Sequence, residues 1–497
     1  MPRRITIGIW GTFDLENFGD HLFPLIARRE LSQRLPEVEL RVFSPLGWEH
    51  PTRLDGGQPA EPLGPWGAVR CAELAHELDC VLVGGGEIIH TQDDLLASAY
   101  DMSPEEILAQ RPSRWFIDGL GPELEKACPV LWHGVGIPFD PAREEGSRLR
   151  DALEWRPYVS VRDVKSLERL REAGVNGDTV LVPDSAFLVD RLYSSELLAR
   201  RRAFHKLMGW VPDGDDPLLV VQGNRDLVRF APELAASLRI WLSSHPEARV
   251  VLAELGACHG DSEFADAIQP LLPQPVFRFP ESAGIADMIS LIDSATCFAG
   301  ISMHGSITAL AFGRGNVILN LNDQSKLDGL AQMANQEERV VHRPDQLAFV
   351  LEAAWCSPPA YELVSRMQSR VDEHFDRIAD LAEKSTAQRP LRAPDNEELL
   401  RQINRLKHED ELLRRALAVS TQRVIEERVA MADRSDVLWR DLIAATDRLA
   451  ELEMGHVADL GAQSAATEEL NRLMATRTFR YSAGLRARYA ALRRMRR

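Results

Sequence analysis

Short apolar runs alternate with amphipathic stretches over most of this chain, and this alternation constrains the fold more than any other feature of the sequence. The runs are rich in Val, Ile and Leu and end in Gly, Pro or Asp, as strands do when both of their faces are buried. Helices between such strands imply a parallel, doubly wound sheet of the α/β class. Strands are predicted at 5–10, 40–43, 80–83, 130–135, 158–161, 179–182, 218–222, 249–255, 296–299, 316–321 and 339–341, and helices at 20–35, 164–172, 232–244 and 285–294.

A polar, charge-rich interval at 190–216 interrupts this alternation. It separates two Rossmann-like halves, which are predicted as domains at 1–190 and 215–356. Open α/β sheets bind their ligands at the carboxyl ends of the strands, and two such sheets would face each other across a cleft. We therefore expect the functional site between the two halves.

The chain after the second half has a different pattern. A helical return segment is predicted at 357–388, and the heptad spacing of apolar residues at 396–470 predicts a coiled coil or a long helical hairpin. Two interpretations of the heptads stay open, packing against the same chain or pairing of two copies into a homo-oligomer. The final segment, 471–497, contains nine Arg and no Asp or Glu, which is typical of a patch that contacts an anionic surface such as a membrane.

Composition argues against several classes of function. The 58 Lys and Arg against 75 Asp and Glu give a formal net charge of −17, so nucleic acid is not expected as a partner, because its phosphates would be repelled. No run approaches the ~18 apolar residues of a membrane span, and the first apolar run is too short for a signal peptide. We expect a cytoplasmic protein that touches the inner face of the membrane only through its basic tail. The six Cys lack metal-ligand spacing, so neither disulfides nor a metal site is expected.

A loop of small and polar residues follows the first predicted strand. Gly11 and Asn17 in this loop are expected to face a ligand, because the loop leads into the positive end of a helix. For Asp20, a ligand contact and a cap of that helix are both open interpretations.

Two glycine-rich loops follow at the same expected edge of the sheet. Glycine allows a backbone to approach a phosphate or a sugar closely, although a tight structural turn is the alternative. The glycines lack the G-x-G-x-x-G spacing, so neither a nicotinamide nor a flavin cofactor is expected. The candidate binding residues in these loops are Gly84, Gly85, Gly86, Glu87 and Gly136.

A cation and a carboxylate follow the last two predicted strands of the first half. Arg162 is well placed to bind a carboxylate or a phosphate, and an internal ion pair with Asp163 or Asp184 is the alternative. Asp184 comes directly after Pro183, and there it can act as a base or cap a helix.

A histidine in the second half is the strongest candidate for catalysis. An apolar strand passes through small residues directly into a helix, and His304 lies in the first turn of that helix. The helix dipole disfavours the cationic imidazole, which suits a group that exchanges protons near neutrality. Free N–H groups beside the histidine are expected to bind an anion, and the residues concerned are Ser302, Gly305 and Ser306.

A second cluster of polar residues, in the loop that contains His259 and Asp261, matches no metal-ligand spacing. This loop is therefore predicted to be solvated and to carry no site.

Taken together, six motifs in this order resemble the polysaccharide pyruvyl transferase family over roughly residues 5–350. The resemblance implies a GT-B-like fold and transfer of the enolpyruvyl group of phosphoenolpyruvate onto sugar hydroxyls as a pyruvate ketal. It also implies that Arg162 and His304 match positions of donor binding and catalysis, whereas Ser302 stands where family members often have Arg. The motifs are Asn17-Phe18-Gly19-Asp20, Gly84-Gly85-Gly86, Gly134-Val135-Gly136, Ser160-Val161-Arg162-Asp163, Pro183-Asp184 and Met303-His304-Gly305.

The terminal segment at 476–494 also resembles a short motif found behind coiled coils in bacterial cell-surface glycosyltransferases. Phosphoenolpyruvate is thus the expected donor, a sugar or lipid-linked glycan the expected acceptor, and no metal or redox cofactor is needed. Arg162 and the amides next to His304 would hold the donor. His304 would protonate its methylene carbon or deprotonate the acceptor, and Asp184 or Glu87 would stabilise charge at C2.

Two other functions stay open. One is a GT-B glycosyltransferase that uses a nucleotide-diphosphate sugar, although no E-x7-E pair follows the glycine-rich loops. The other is a non-catalytic scaffold that recruits partners through its coiled coil and basic tail.

Overall fold

Two parallel β-sheets with helices between their strands make up the part of the chain that is described by the computed structural model. That part is residues 4–388, apart from residues 16, 48–59, 98, 101, 142, 176, 274, 281–282 and 360. The predicted fold class, two Rossmann-like parallel-sheet domains followed by a helix, is confirmed. The predicted coiled coil at 396–470 and the basic tail at 471–497 lie outside the described residues.

The first sheet has the strand order β3-β2-β1-β4-β5-β6-β7, and all its neighbouring strands are parallel. Strands β4 and β5 are buried along their whole length, which explains why their sequences are continuously apolar. The strands are β1 (Ile5–Trp10), β2 (Val38–Ser44), β3 (Glu61–Pro62), β4 (Cys80–Gly84), β5 (Val130–Val135), β6 (Val159–Val161) and β7 (Thr179–Leu181).

The second sheet has the strand order β10-β9-β8-β11-β12-β13 and is also parallel throughout. Its central strands β8, β11 and β12 are fully buried as well. The strands are β8 (Leu218–Gln222), β9 (Arg249–Ala253), β10 (Val276–Phe279), β11 (Cys297–Gly300), β12 (Gly315–Leu319) and β13 (Val340–Val341).

Helices connect the strands within each sheet, and none in the described residues is long and apolar enough to cross a membrane. The helices are α1 (Phe18–Arg34), α2 (Ala68–Glu77), α3 (Pro104–Gln110), α4 (Pro112–Ile117), α5 (Pro122–Glu125), α6 (Arg143–Leu153), α7 (Val164–Glu172), α8 (Ser195–Met208), α9 (Ala231–Ser244), α10 (Asp261–Ile268), α11 (Ile285–Ser294), α12 (Met303–Ala311), α13 (Ser325–Met333), α14 (Leu347–Cys356) and α15 (Tyr361–Gln388).

Three elements differ from the predictions. The edge strands β3 and β10 are only partly buried, so they lack the continuous apolar pattern by which strands are predicted. The interval at 190–216, predicted as an interruption, contains the 14-residue helix α8, which buries little more than Leu198 and His205 and so has a weak amphipathic pattern.

Helix α15 returns to the first domain and packs on it through buried apolar residues, such as Phe375 and Ile378, as well as through charged and polar contacts. Asp372 accepts hydrogen bonds from Arg34 (3.2 Å) and Arg191 (2.7 Å). A buried ring pair also joins the helix to β5, because the Nε2 of His374 lies 2.6 Å from the Nδ1 of His133. The helix thus closes the first sheet on the side of α1.

Strand order reverses between β1 and β4 in the first sheet and between β8 and β11 in the second. Ligands of open α/β sheets bind at such switch points, outside the carboxyl ends of the strands. The loops that follow these four strands meet in one cavity, which both domains line.

Candidate active site

The cavity between the domains has a volume of about 370 Å³, within the range of small-molecule sites. Half of the residues predicted for the site lie on its wall, and both domains supply them. The predicted residues that line the cavity are Asn17, Asp20, Gly86, Glu87, Arg162, Ser302 and His304.

One buried carboxylate joins the two strongest candidates. The Oδ2 of Asp184 accepts a hydrogen bond from the Nη1 of Arg162 (3.2 Å) and lies 3.5 Å from the Nε2 of His304. Its Oδ1 accepts from the N–H of Ala186 (3.0 Å), so Asp184 also caps the 3₁₀ turn Ser185–Arg191. Asp184 therefore caps that turn, as one of the two interpretations predicted, and its other oxygen lies behind the wall in contact with Arg162 and His304.

Two carboxylates near His304 have opposite pKa shifts. Burial opposes the ionisation of Asp184, but the nearby His304 and Arg162 outweigh it and lower its pKa to about 2. Burial dominates at Asp20 and raises its pKa to about 6, although His304 and a hydrogen bond from Asn17 partly oppose the shift. Asp184 is thus a permanent anion, whereas Asp20 can exchange a proton near neutrality.

The loop after β1 caps a helix and contacts the second domain. Asn17 is the cap of α1, because its Oδ1 accepts from the N–H of Gly19 (3.2 Å) and its Nδ2 donates to Asp20 (3.2 Å). The N–H of Phe18 donates to the carbonyl of Leu255 in the second domain (2.9 Å). Asp20 is therefore not the cap, and its carboxylate is left on the cavity wall.

Gly19 leaves space for the side chain of His304, the candidate for catalysis. A Cβ at this position would overlap the Nδ1 of His304, so only glycine leaves room for the imidazole. Phe23, one turn later, packs edge-on against the same ring at 5.6 Å between centroids. The motif around Asn17 thus holds the histidine of the other domain in place.

A lysine that the sequence analysis did not select pairs with Glu87 across the cavity. The Nζ of Lys326, in helix α13, lies 3.0 Å from the Oε2 of Glu87, which follows β4. Burial opposes the ionisation of Glu87, but Lys326 and Arg162 outweigh it and lower its pKa. Arg162 and Lys326 are the only arginine and lysine among the described residues that line the cavity.

Four of the glycines that are predicted to bind a ligand, Gly11, Gly84, Gly85 and Gly136, are not among the residues that line the cavity. A Cβ on Gly11 would overlap the carbonyl of Gly84, and one on Gly85 would press on Phe13. Gly136 leaves room for the side chain of Arg162. These glycines let neighbouring strand ends pack closely, and only Gly86 of the glycine run reaches the wall, at φ +125°.

The amides of Gly305 and Ser306, which are predicted to bind an anion, both donate within the first turn of α12. The N–H of Gly305 donates to the Oγ of Ser302 (3.1 Å), and that of Ser306 donates to the carbonyl of Ser302 (3.0 Å). Ser302 thus caps α12 and uses both donors, while its own side chain lies on the wall.

The loop after β9, predicted to be solvated, instead brings a buried acid to the cavity. Asp261 is 1% exposed, and its Oδ2 accepts three hydrogen bonds, from the Nε2 of Gln222 (2.8 Å) and the N–H groups of Leu255 (2.9 Å) and Gly256 (3.1 Å). Burial raises the pKa of Asp261 to about 6. In the described part of the chain, no group of three or more His, Cys, Asp or Glu is arranged to hold a metal ion.

Fold and cavity together define a two-domain Rossmann-like protein with a cavity of small-molecule size between its domains. A sequence profile of the polysaccharide pyruvyl transferase family matches residues 17–323, which is more than half of the chain. The chain belongs to that family and is a transferase that acts on polysaccharides. No curated protein sequence matches it significantly.

Solved structures with related architecture share little sequence with this chain. UDP-GlcNAc 2-epimerase from Neisseria meningitidis bound to UDP-GlcNAc aligns with a TM-score of 0.47 at 12% identity, over 77% of this chain and 99% of that one. S. aureus MnaA with UDP aligns with a TM-score of 0.45 at 11% identity, over 78% and 99%. E. coli ADP-heptose LPS heptosyltransferase II aligns with a TM-score of 0.38 at 14% identity, over 71% and 98%.

Proposed function

We propose that this protein transfers the enolpyruvyl group of phosphoenolpyruvate to two hydroxyls of a sugar and so forms a pyruvate ketal. The observation that carries the proposal is the convergence of Arg162, Lys326 and His304 on one cavity between the domains. A donor with a phosphate and a carboxylate needs two cations, and the reaction needs a group that transfers protons.

Arg162 and Lys326 would bind the two anionic groups of the donor. The guanidinium of Arg162 is held by Asp184, yet its Nε has no hydrogen-bond partner among the described residues. Lys326 is partly exposed and pairs with Glu87, so a ligand phosphate can take over that contact. Because the two cations come from different domains, donor binding would also hold the domains together.

His304 would supply a proton to the donor. Asp184 faces one nitrogen of its ring, as carboxylates do when they orient a histidine for proton transfer. Protonation of C3 makes the methyl group, and C2 becomes an electrophile that the first sugar hydroxyl attacks. The second hydroxyl then attacks C2 as the bond from C2 to the phosphate oxygen breaks, and inorganic phosphate leaves.

Asp20 is suited to accept a proton from the sugar. Two hydroxyl protons are released for each ketal; one replaces the proton given to C3, and the other leaves with phosphate. A carboxylate with a pKa of about 6 on the cavity wall can accept such a proton at neutral pH.

The acceptor is proposed to be a glycan at the inner face of the cell membrane, where the basic segment 471–497 would bind anionic lipid. Co-sedimentation with phosphatidylglycerol vesicles tests this, with a chain that ends at residue 470 as the control. Equal sedimentation of both chains would contradict the membrane contact.

The reaction is tested by incubating the full chain with phosphoenolpyruvate and a panel of glycosides. The expected result is phosphate release that depends on the glycoside, with a product heavier than the glycoside by one pyruvate less one water. Consumption of a nucleotide sugar, with phosphoenolpyruvate untouched, would favour the glycosyltransferase alternative and contradict the proposal.

A further inference from the structure

The two ends of the cavity differ in chemistry, and the order of the strands explains why. In the second sheet, β9, β8, β11 and β12 lie side by side in that order. Lys326 follows β12, His304 follows β11, and the opposite end is formed by the loops after β8 and β9. The histidine therefore lies between a cationic end and an end of different composition.

The end formed after β8 and β9 contains two buried hydrogen-bond acceptors that have no partner among the described residues. The Oδ2 of Asp261 accepts three hydrogen bonds, whereas its buried Oδ1 has no partner among the described residues. The Oδ1 of Asn224 is also buried without a partner, and both residues lie on the cavity wall. Burying a polar atom without a partner is costly, so such atoms point to a ligand that supplies donors.

The charge of this end selects the kind of ligand. Asp226 lies on the same wall, and the nearby Arg225 is exposed and bound to Glu263 (2.6 Å). Phosphate groups would meet carboxylates there and no arginine or lysine of the described wall, since Arg162 and Lys326 belong to the other end. Neutral hydroxyl groups can donate to the Oδ1 atoms of Asn224 and Asp261 without bringing a second negative charge near the carboxylates.

We propose that Asn224 and Asp261 form the acceptor subsite, in which hydroxyls of an uncharged sugar donate hydrogen bonds to their Oδ1 atoms. That the bound sugar is the acceptor rests on the proposed function, whereas the binding of a sugar at this place does not. The subsite is linked to α12, the helix of His304, because Gln222 donates to Asp261 (2.8 Å) and accepts from the N–H of Ser302 (2.8 Å). A sugar bound in the subsite would therefore lie next to His304.

Two substitutions in the full chain separate sugar binding from folding. Asp261→Asn can keep an oxygen towards the three donors and present an amide NH2 to the cavity, which reverses the polarity of one atom. Asn224→Ala removes a side chain that caps no helix end. Saturation-transfer NMR with the methyl glycosides of glucose, galactose and mannose measures sugar binding, and calorimetry with phosphoenolpyruvate measures donor binding.

At least one methyl glycoside is expected to give a signal with the unaltered protein. Both variants should bind that glycoside at least tenfold more weakly than the unaltered protein does. Their affinity for phosphoenolpyruvate should stay within twofold of that of the unaltered protein. Equal glycoside binding by the variants, no glycoside signal with the unaltered protein, or binding of UDP in competition with the glycoside would overturn the subsite. If glycosides behave as expected and phosphoenolpyruvate does not bind, the proposed function fails and the sugar subsite stands.

Discussion

The two ends of the cavity present different groups to a ligand, paired cations at one end and, at the other, hydrogen-bond acceptors without partners in the described part of the chain. At one end, Arg162 and Lys326 are already paired with Asp184 and Glu87, so their charges are compensated before any ligand arrives. At the other end, an oxygen of Asp261 has no partner among the described residues. An anionic ligand would therefore exchange ion pairs at the first end, whereas a neutral ligand would complete hydrogen bonds that the fold leaves open at the second.

His304 lies between the two ends, and its loss should have the largest effect. His304→Ala is expected to lower kcat by about 10²- to 10⁴-fold, because it removes the proton donor. His342→Ala is the matched control, since His342 is partly exposed and outside the cavity wall. Equal rates of phosphate release for the two variants would contradict the role of His304 as the proton donor.

Asp184 secures the cationic end, and its removal should cost the most stability. Asp184→Asn is expected to lower the free energy of unfolding by about 3 kcal/mol at pH 7, because it removes the negative charge that is hydrogen-bonded to the buried guanidinium of Arg162. Its folded pKa of about 2 lies below the unfolded value of 3.8, so this stabilisation is present above pH 4 and is lost as the pH falls towards 2. Urea unfolding from pH 7 to 2.5 should show a smaller acid-dependent loss in the variant than in the unaltered protein, because other paired carboxylates such as Glu87 lose their charge in both.

Substitution of Asp20 should change the free energy of unfolding in the opposite direction. Its folded pKa of about 6 exceeds the unfolded value of 3.8, so its ionisation opposes folding at pH 7, and this cost disappears as the pH falls below 4. Asp20→Asn is thus expected to raise the free energy of unfolding by up to about 3 kcal/mol at pH 8, while catalysis slows. A destabilised variant in urea unfolding at pH 8 would contradict the assignment.

Sequence patterns predict the sheets well and the site only in part. Continuous apolar runs mark the buried strands such as β4 and β8, because both of their faces are covered. Arg162 and His304 could be selected because they follow such strands directly. Lys326 could not, since it lies in a polar stretch that is typical of an exposed loop and reaches the cavity only through the packing of α13.

Hydrogen bonds formed only in the folded chain explain the other misses. Asp261 is drawn into the interior by two backbone amides and Gln222, which no local spacing reveals. In the same way, the first turn of α12 offers an anion site in the sequence, but the hydroxyl of Ser302 occupies it. Conversely, the glycines after β4 do suggest close approach, and the group that approaches is the protein's own backbone.

Two milder substitutions test whether the two ends of the cavity bind different substrates. Lys326→Gln should raise the KM for phosphoenolpyruvate about tenfold, roughly 1.4 kcal/mol, and leave the KM for the glycoside unchanged. Asn224→Ala should raise the KM for the glycoside and leave the KM for phosphoenolpyruvate unchanged. Steady-state kinetics with each substrate varied in turn would contradict two separate ends if either variant changed both values equally.

The proposed function requires an anionic donor to bind between the two domains, and a crystal structure with bound phosphoenolpyruvate would show where the donor lies. We predict one anionic group of the ligand against the guanidinium of Arg162, the other against the ammonium of Lys326, and the methylene carbon facing His304. Density for the ligand at any other place, or against the Asn224 end with Arg162 and Lys326 unchanged, would contradict the account.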